Sequence, residues 1–310
     1  MSNVLVVGSV ALDSVETPFG TATDALGGSA TFFSAAASFF APVQLVGVIG
    51  DDFPLKSLEF LERRGVDLSG VDRKVGESFR WSGTYSYDLN TRETRETRLG
   101  VFANFQPVIP DSFRDAEWIF LGNIDPELQL DVLEQVRSPR LVACDTMNYW
   151  IEGKRDALLR LLEHVDVLLV NDAEARELSG DYNLLRAARW IQARGPAAVI
   201  VKKGEHGAIL FTRDVIFFAP GYPLEEVFDP TGAGDAFAGG FIGCLARDGS
   251  AEPLHLRRAM IYGSAMGSFA VERFSVDRLI DLDMPAIEQR VSHFRDMTAF
   301  EMPAPLSSNG

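Results

Sequence analysis

The residues most suited to chemistry lie in one run, Phe228 to Ala246, which reads FDPTGAGDAFAGGFIGCLA. It begins with turn residues, carries a glycine on each side of Ala233, and continues into an apolar helical pattern from about Asp235. Glycines let backbone N–H groups converge, and a helix start adds the positive end of a dipole, so the run predicts an anion site. A carboxylate repels phosphate, but Asp235 could take the proton of a hydroxyl that attacks phosphorus.

A purely structural alternative for this run is a helix N-terminus with turn glycines and a capping aspartate. Gly239 and Gly240 weaken that alternative, because a glycine inside a helix costs about 1 kcal/mol relative to alanine unless close packing requires it. A dinucleotide-binding GxGxxG would need glycine where Phe237 stands, and no GxxxxGK[ST] occurs. The sequence therefore argues against dehydrogenases and P-loop proteins.

Composition excludes several further classes of protein. The 310 residues include 29 Lys and Arg against 44 Asp and Glu, a net charge of −15 that argues against a nucleic-acid-binding protein. The two cysteines and four scattered histidines have neither disulfide-framework nor zinc spacing. Residues 25–50 carry no charge, but their Gly, Pro, Ser and Thr content favours a buried helix and strand over a membrane span. The N-terminus lacks signal-peptide features, so we expect a cytoplasmic protein.

Short β-branched or apolar runs alternate with helical patterns along the chain, which predicts a mostly parallel sheet covered on both faces. The predicted strands are residues 4–8, 43–50, 118–123, 141–145, 165–171 and 198–204. The predicted helices are Ser29–Phe40, Leu55–Arg64, Pro126–Val136, Arg155–Glu163 and Leu184–Arg194.

Two polar, Thr-rich segments, residues 13–25 and 78–105, interrupt this alternation. Their period-two patterning predicts antiparallel strands outside the main sheet, and together they would form a small lid over it. The alternative is a pair of surface hairpins. TRETRETR within the second segment is interpreted as a charged edge rather than a repeat. The last ten residues, EMPAPLSSNG, are expected to form a frayed tail.

DPTGAGDAFAGGFI resembles the C-terminal signature of the ribokinase-like (PfkB) carbohydrate kinases, with Pro230 where threonine is common. GGSATFFSAAASFFAPVQLVGVIGDD, residues 27–52, is similar to their N-terminal signature, and the two occur in the right order. The resemblance implies an α/β fold: a three-layer α/β/α core with a mostly parallel sheet and a small antiparallel β lid, in one domain over residues 1–310. It implies transfer of the γ-phosphoryl group of ATP to a hydroxymethyl group of a sugar or nucleoside. Asp235 would be the base, and the backbone amides of Gly232, Ala233, Gly234 and Asp235 would hold the phosphoryl group.

The resemblance also assigns the nucleotide side of the site. Asn171 and Glu174 match N-x-x-E, which helps to place Mg²⁺ through water, although a helix cap is the structural alternative. The resemblance places Lys202 or Lys203, with Gly204 and Gly207, near the ATP phosphates and ribose. It places Gly263 and Ser264 near the adenine. Asp229 and Thr231 match a place where some members bind a monovalent cation such as K⁺. A solvated turn and tight helix packing are the alternatives for the lysine turn and for Gly263.

On the acceptor side, Asp13 matches the aspartate that holds sugar hydroxyls, and Gly27 and Gly28 match its backbone contacts. The usual asparagine and the Lys and Asn of GGKGAN are replaced by Ala11, Ser29 and Phe32. Fewer polar contacts disfavour free ribose. A nucleoside, with its base on Phe32 or Phe33, becomes plausible, and burial of both rings in the core is the equal alternative.

Asp145 and Asn148 follow a strand, where open α/β sheets place ligands. They are assigned to the phosphate or the acceptor side without a choice between the two. A catalytically silent nucleotide-binding regulatory or assembly protein on the same fold is the competing function. A homodimer through the lid, by way of the aromatic strand 79–87, is compatible with the family.

Overall fold

The computed structural model describes residues 2–300 and resolves them into two sheets and their covering helices. In chain order the strands are β1 Val4–Val7, β2 Ala11–Thr17, β3 Gly20–Gly27, β4 Val43–Gly50, β5 Asp67–Lys74, β6 Phe79–Tyr85, β7 Arg92–Arg98, β8 Trp118–Leu121, β9 Leu141–Asp145, β10 Val167–Asn171, β11 Ala198–Lys202, β12 Ala208–Phe211 and β13 Ile216–Ala219.

The helices are α1 Ser29–Ala37, α2 Glu59–Arg63, α3 Pro126–Gln135, α4 Asn148–Gly153, α5 Arg155–Leu162, α6 Asp172–Ser179, α7 Leu184–Gln192, α8 Ala233–Asp248, α9 Pro253–Ala270, α10 Asp277–Ile280 and α11 Met284–Thr298. Short 3-10 turns occupy Leu55–Leu58, Gly100–Asn104, Asp111–Phe113 and Gly204–His206. The predicted frayed tail, residues 301–310, lies outside the described residues.

The larger sheet has nine strands in the order β13-β12-β11-β10-β9-β8-β1-β4-β5. Only the pairings of β12 with its two neighbours are antiparallel. Alternate residues of the inner strands enter two separate cores. Val4 and Val6 pack with α1, α8 and α9 on one face, and Leu5 and Val7 pack with α5, α6 and α7 on the other. This confirms the predicted parallel sheet between two helical layers.

The predicted strands and helices are all present, and most of their ends lie within two or three residues of the prediction. The predicted helix Leu55–Arg64 is divided into a 3-10 turn and α2. The predictions did not include β5, whose pattern of exposed charged residues hides its pairing with β4. Within residues 2–300, no helix is both long and apolar enough to cross a membrane.

The smaller sheet has the order β3-β2-β6-β7, and we refer to these four strands as the lid. Two of its pairings are antiparallel, while β2 and β6, which come from segments far apart in the chain, run parallel. The carboxylate of Asp52 ties the lid to the core. It accepts hydrogen bonds from the backbone and hydroxyl of Ser78 at 2.8 and 2.6 Å and pairs with Arg80 at 2.6 Å.

Candidate active site

The loop before α8 is held in shape by a buried carboxylate. Asp229 accepts hydrogen bonds from the amides of Thr231 at 2.9 Å and Ser275 at 3.2 Å. Burial raises the pKa of Asp229, and the hydrogen bonds from Thr231 and Ser275 oppose that rise. The loop that could present backbone amides is thus fixed from two sides. Asp229 and Thr231, the predicted cation ligands, are both in it.

Gly232 is required by the backbone and by its surroundings. Its φ of 74° is left-handed, a region that favours glycine, and a methyl group there would overlap the ring of Phe32. The first amides of a helix have no partner within it, so those at the start of α8 need acceptors outside the helical pattern. The Ala233 amide donates to the Pro230 carbonyl at 3.3 Å, and the Asp235 amide hydrogen-bonds its own carboxylate.

Asp235 lies in the first turn of α8, half-buried, next to two other charges. Burial raises its pKa to about 7, the negative charge of Asp145 adds to the rise, and the positive charge of Lys202 opposes it. A carboxyl group that titrates near neutrality can both accept and release a proton under ordinary conditions. These are the properties expected of a general base.

Lys202 connects the glycine loop to the main sheet. Its Nζ lies 2.8 Å from the Asp145 carboxylate, and a methyl group at Gly234 would approach Nζ to 2.9 Å. Burial lowers the pKa of Lys202, but the charges of Asp145 and Glu174 outweigh it, so the pKa is raised and the amine is charged. Asp145 ends β9 and Lys202 ends β11, so the pair sits at the carboxyl edge of the parallel strands.

Asn171 and Glu174 form a reciprocal cap at the start of α6. The Glu174 carboxylate accepts from the Asn171 amide, and the Asn171 side chain accepts from the Glu174 amide, both at 2.8 Å. The structural alternative for this motif is therefore present. Glu174 also belongs to the charged cluster: burial raises its pKa to about 7, the charge of Asp145 adds to the rise, and Lys202 opposes it.

The turn after β11 lies beneath the lid. Gly204 and Gly207 have positive φ values of 55° and 82°. A methyl group at Gly204 would approach the side-chain oxygen of Asn90 at 2.5 Å, so the hairpin between β6 and β7 reaches this turn. The Lys203 amide donates to the Gly207 carbonyl at 2.7 Å. Lys202, which precedes this turn, connects it to the charged cluster by its pairing with Asp145.

Gly263 and Ser264 lie on α9, which packs along α8. A methyl group on Gly263 would lie 3.0 Å from the Phe237 carbonyl, so this glycine allows α9 to pack closely on α8, as the packing alternative predicts. The buried hydroxyl of Ser264 has no hydrogen-bond partner among the described residues. Gly263 thus reaches α8 at Phe237, two residues after Asp235.

The predicted acceptor residues lie in the lid and at the start of α1. Asp13 is buried, and its carboxylate lies against Gly27 so closely that a side chain at Gly27 would overlap it. Burial raises the pKa of Asp13 to about 7, a hydrogen bond from Gly28 opposes the rise, and the charges of Asp229 and Asp235 add to it. Asp13 lines one narrow cavity together with Asp229 and Thr231.

The two phenylalanines of α1 have different environments. Phe33 stacks on Phe120 of the central sheet, with ring centroids 4.4 Å apart. Phe32 is only 1% exposed, but its ring borders the narrow cavity lined by Asp13, Asp229 and other residues, and it rests against Gly232. The alternative that the ring is buried in the core thus applies to Phe33, whereas Phe32 lies between the core and the site.

Two lid residues that the sequence did not single out reach this site. The Tyr85 hydroxyl lies 3.3 Å from the Thr231 hydroxyl. Arg92, opposite Tyr85 on β7, lowers the pKa values of Asp13, Glu174 and Asp235 by its charge. Arg92 is exposed and belongs to TRETRETR, whose repeating Arg, Glu and Thr give no signal that the charge of one arginine acts on the site. Asp145 enters the charged cluster, while Asn148 is exposed at the start of α4.

Comparisons with known proteins identify the family of this chain. Residues 1–281 match the pfkB family carbohydrate kinases. The chain belongs to this family. A cytidine kinase of Thermococcus kodakarensis is 31% identical over 253 residues, covering 80% of this chain and 90% of the relative. A nucleoside kinase of Methanocaldococcus jannaschii is 25% identical over 230 residues, covering 74% of this chain and 73% of the relative.

Solved structures show the same fold. The nucleoside kinase of Burkholderia thailandensis in complex with inosine superposes with a TM-score of 0.76 at 20% identity, over 96% of this chain and all of that one. The predicted ribokinase-like fold is thereby confirmed. The PfkB chain is a kinase of the carbohydrate and nucleoside class.

Proposed function

We propose that this PfkB kinase transfers the γ-phosphoryl group of ATP to a hydroxymethyl group of a sugar or nucleoside, with Asp235 as the base. One observation carries the proposal: a carboxyl group with a pKa of about 7 lies in the first turn of α8, directly after a left-handed glycine and beside the Lys202 ammonium. Base, amide donors and cation then converge where a phosphoryl group would transfer.

In this proposal each polar or charged group has a separate role. Asp235 accepts the proton of the acceptor hydroxyl at its carboxylate as the oxygen attacks the γ-phosphorus, and the bond from that phosphorus to the β,γ-bridging oxygen breaks, so that ADP leaves. The amides at the start of α8 and the Lys202 ammonium stabilise the negative charge on the transferring group. Asp13 accepts hydrogen bonds from acceptor hydroxyls and orients the hydroxymethyl group toward Asp235. Lys203, Gly204 and Gly207 would line the phosphates, and Gly263 and Ser264 would border the adenine.

The residues also fit a magnesium ion held largely through water and phosphate. Carboxylate and amide oxygens of Glu174 and Asn171 suit a hard cation. Within residues 2–300, no three or more His, Cys, Asp or Glu side chains are grouped to hold a metal by themselves. When bound, Mg²⁺ neutralises charge on the phosphates. K⁺ at Asp229 and Thr231, and a homodimer through the lid, stay predictions.

The test is ADP release with Mg²⁺ and ATP across a panel of sugars, polyols and nucleosides, with each positive acceptor repeated in Asp235→Asn and without Mg²⁺. We expect at least one acceptor whose turnover depends on both Asp235 and Mg²⁺. Exchange of Na⁺ for K⁺ in the same assay tests the cation site. Turnover that persists in Asp235→Asn would refute the role of the base.

A further inference from the structure

The inner face of the lid carries an indole beside the acceptor carboxylate. Strand β6 runs parallel to β2, and Trp81 stands directly opposite Asp13, so both side chains project from the same face. Tyr85, two alternations farther along β6, projects from this face too, and its hydroxyl contacts Thr231. Trp81 therefore faces the cleft between Asp13 and the glycine loop.

The indole is held flat and remains half-exposed. A methyl group at Gly83 would overlap atoms Cζ2 and Cη2 of the Trp81 ring, so the ring lies across its own strand and requires glycine there. Two side chains of β7 fix its position: Nε1 lies 3.3 Å from the Thr94 hydroxyl, and the Arg92 guanidinium carbon lies 5.4 Å from the ring centroid. The result is a rigid aromatic surface that is open to solvent in part.

Phe32, the aromatic residue that the sequence suggests for a base, has no such free surface. Its side chain is 1% exposed and its ring is pressed on Gly232. Stacking of a nucleobase on an aromatic ring needs an accessible ring face. Phe32 can border the sugar, whereas Trp81 can accept a planar base next to the same carboxylate.

We propose that Trp81 is the surface on which the base of a nucleoside acceptor stacks, while Asp13 holds the ribose hydroxyls. The inference rests on the proposed kinase function and deepens it, because it names nucleosides rather than free sugars as the acceptor class. Trp81 is then a specificity-determining residue, and Arg92 and Thr94 are positioning residues for its ring.

The experiment measures KM and kcat for a ribonucleoside panel and for D-ribose in the wild type, Trp81→Ala, Trp81→Phe and Trp190→Phe. Loss of one base–aromatic stack is worth about a tenfold change in binding or more, so Trp81→Ala should raise the KM of the best nucleoside at least about tenfold. Its kcat should stay within about twofold. Trp81→Phe keeps a ring and should stay close to the wild type. Trp190→Phe, on α7, should change nothing.

Intrinsic fluorescence gives a readout that a merely structural role would not move. Subtracting the spectrum of Trp81→Phe from that of the wild type isolates the Trp81 emission, and a saturating nucleoside should quench it, whereas D-ribose should not. This measurement decides the question even where Trp81→Ala fails to fold.

Two sets of results separate the inference from the function on which it rests. An unchanged nucleoside KM in folded Trp81→Ala, no quenching of Trp81, or a wild type that phosphorylates sugars but no nucleoside would overturn the inference and leave the kinase intact. The absence of any Asp235-dependent ADP release from the wild type would overturn the kinase function itself.

Discussion

Neutralising Asp235 should stabilise the folded enzyme while destroying its activity. Burial raises the pKa of this carboxyl group from 3.8 to about 7, and Asp145 contributes to the rise. A group whose pKa is higher in the folded state favours folding at low pH, and that contribution is lost as the pH rises through the folded pKa. Above pH 7 the folded enzyme therefore holds an unfavourable charge, which Asp235→Asn removes.

The size of the effect follows from the two pKa values. A pKa of about 7 in place of 3.8 corresponds to at most about 4 kcal/mol of lost stability at pH 8. A chain of 310 residues has an unfolding entropy of about 0.65 kcal/mol/K, so this limit equals about 6 °C in Tm. Allowing half for imperfect replacement by asparagine, Asp235→Asn should raise Tm by about 3 to 6 °C at pH 8.

The assay is thermal unfolding followed by circular dichroism at pH 5 and pH 8. At pH 5 the folded carboxyl group is neutral but the unfolded one, with its pKa of 3.8, is ionised, so the difference in Tm should fall to less than half of its value at pH 8. Asp214→Asn is the matched control, because Asp214 is exposed in the turn between β12 and β13 and should show no pH-dependent difference. Equal differences at both pH values, or a lower Tm for Asp235→Asn at pH 8, would refute the electrostatic reasoning.

Further predictions concern the pH profile, the ion pair and the glycine loop. The kcat/KM for the acceptor should rise through about pH 7 and fall about tenfold per pH unit below pH 6, because the base must be ionised; a flat profile between pH 5.5 and 8 would contradict this. Lys202→Met leaves the Asp145 carboxylate, whose side chain is 8% exposed, without its partner charge. It should lower the free energy of unfolding, measured with denaturant, by about 3 to 5 kcal/mol. Adding Asp145→Leu should recover part of that loss, and a single variant as stable as the wild type would argue against the ion pair. Gly232→Ala should abolish turnover and lose more stability than Gly249→Ala, which has the same left-handed backbone but open space around it; equal losses would exclude the Phe32 contact as the cause.

The sequence predicts the parallel core well because its strands and helices are defined by local patterns. Val4–Val7 or Leu184–Gln192 can be recognised without knowledge of their partners, since burial on both faces or one face sets the residue types. The parallel pairing of β2 with β6 could not be predicted, because it joins segments that are separated in the chain and similar in composition.

Site residues can likewise be predicted where they lie in one local run, and cannot where their position depends on pairing between distant segments. Asp235 and its glycines are predictable because the proposed anion site is contained in one contiguous run. Arg92, Tyr85 and Trp81 are not, because their role depends on which face of the lid each one occupies and on the lid lying over Thr231. The alternation of Arg, Glu and Thr in β7 is equally consistent with either face.

The central claim is that Asp235 deprotonates the acceptor. The most direct measurement compares kcat of the wild type and Asp235→Asn with the acceptor found in the panel, alongside the Kd of each protein for the nucleotide with Mg²⁺ by calorimetry. We predict a fall in kcat of about two to four orders of magnitude with a Kd within about threefold of the wild type. A variant that keeps its kcat, or one that loses turnover only because the nucleotide no longer binds, would contradict the assignment.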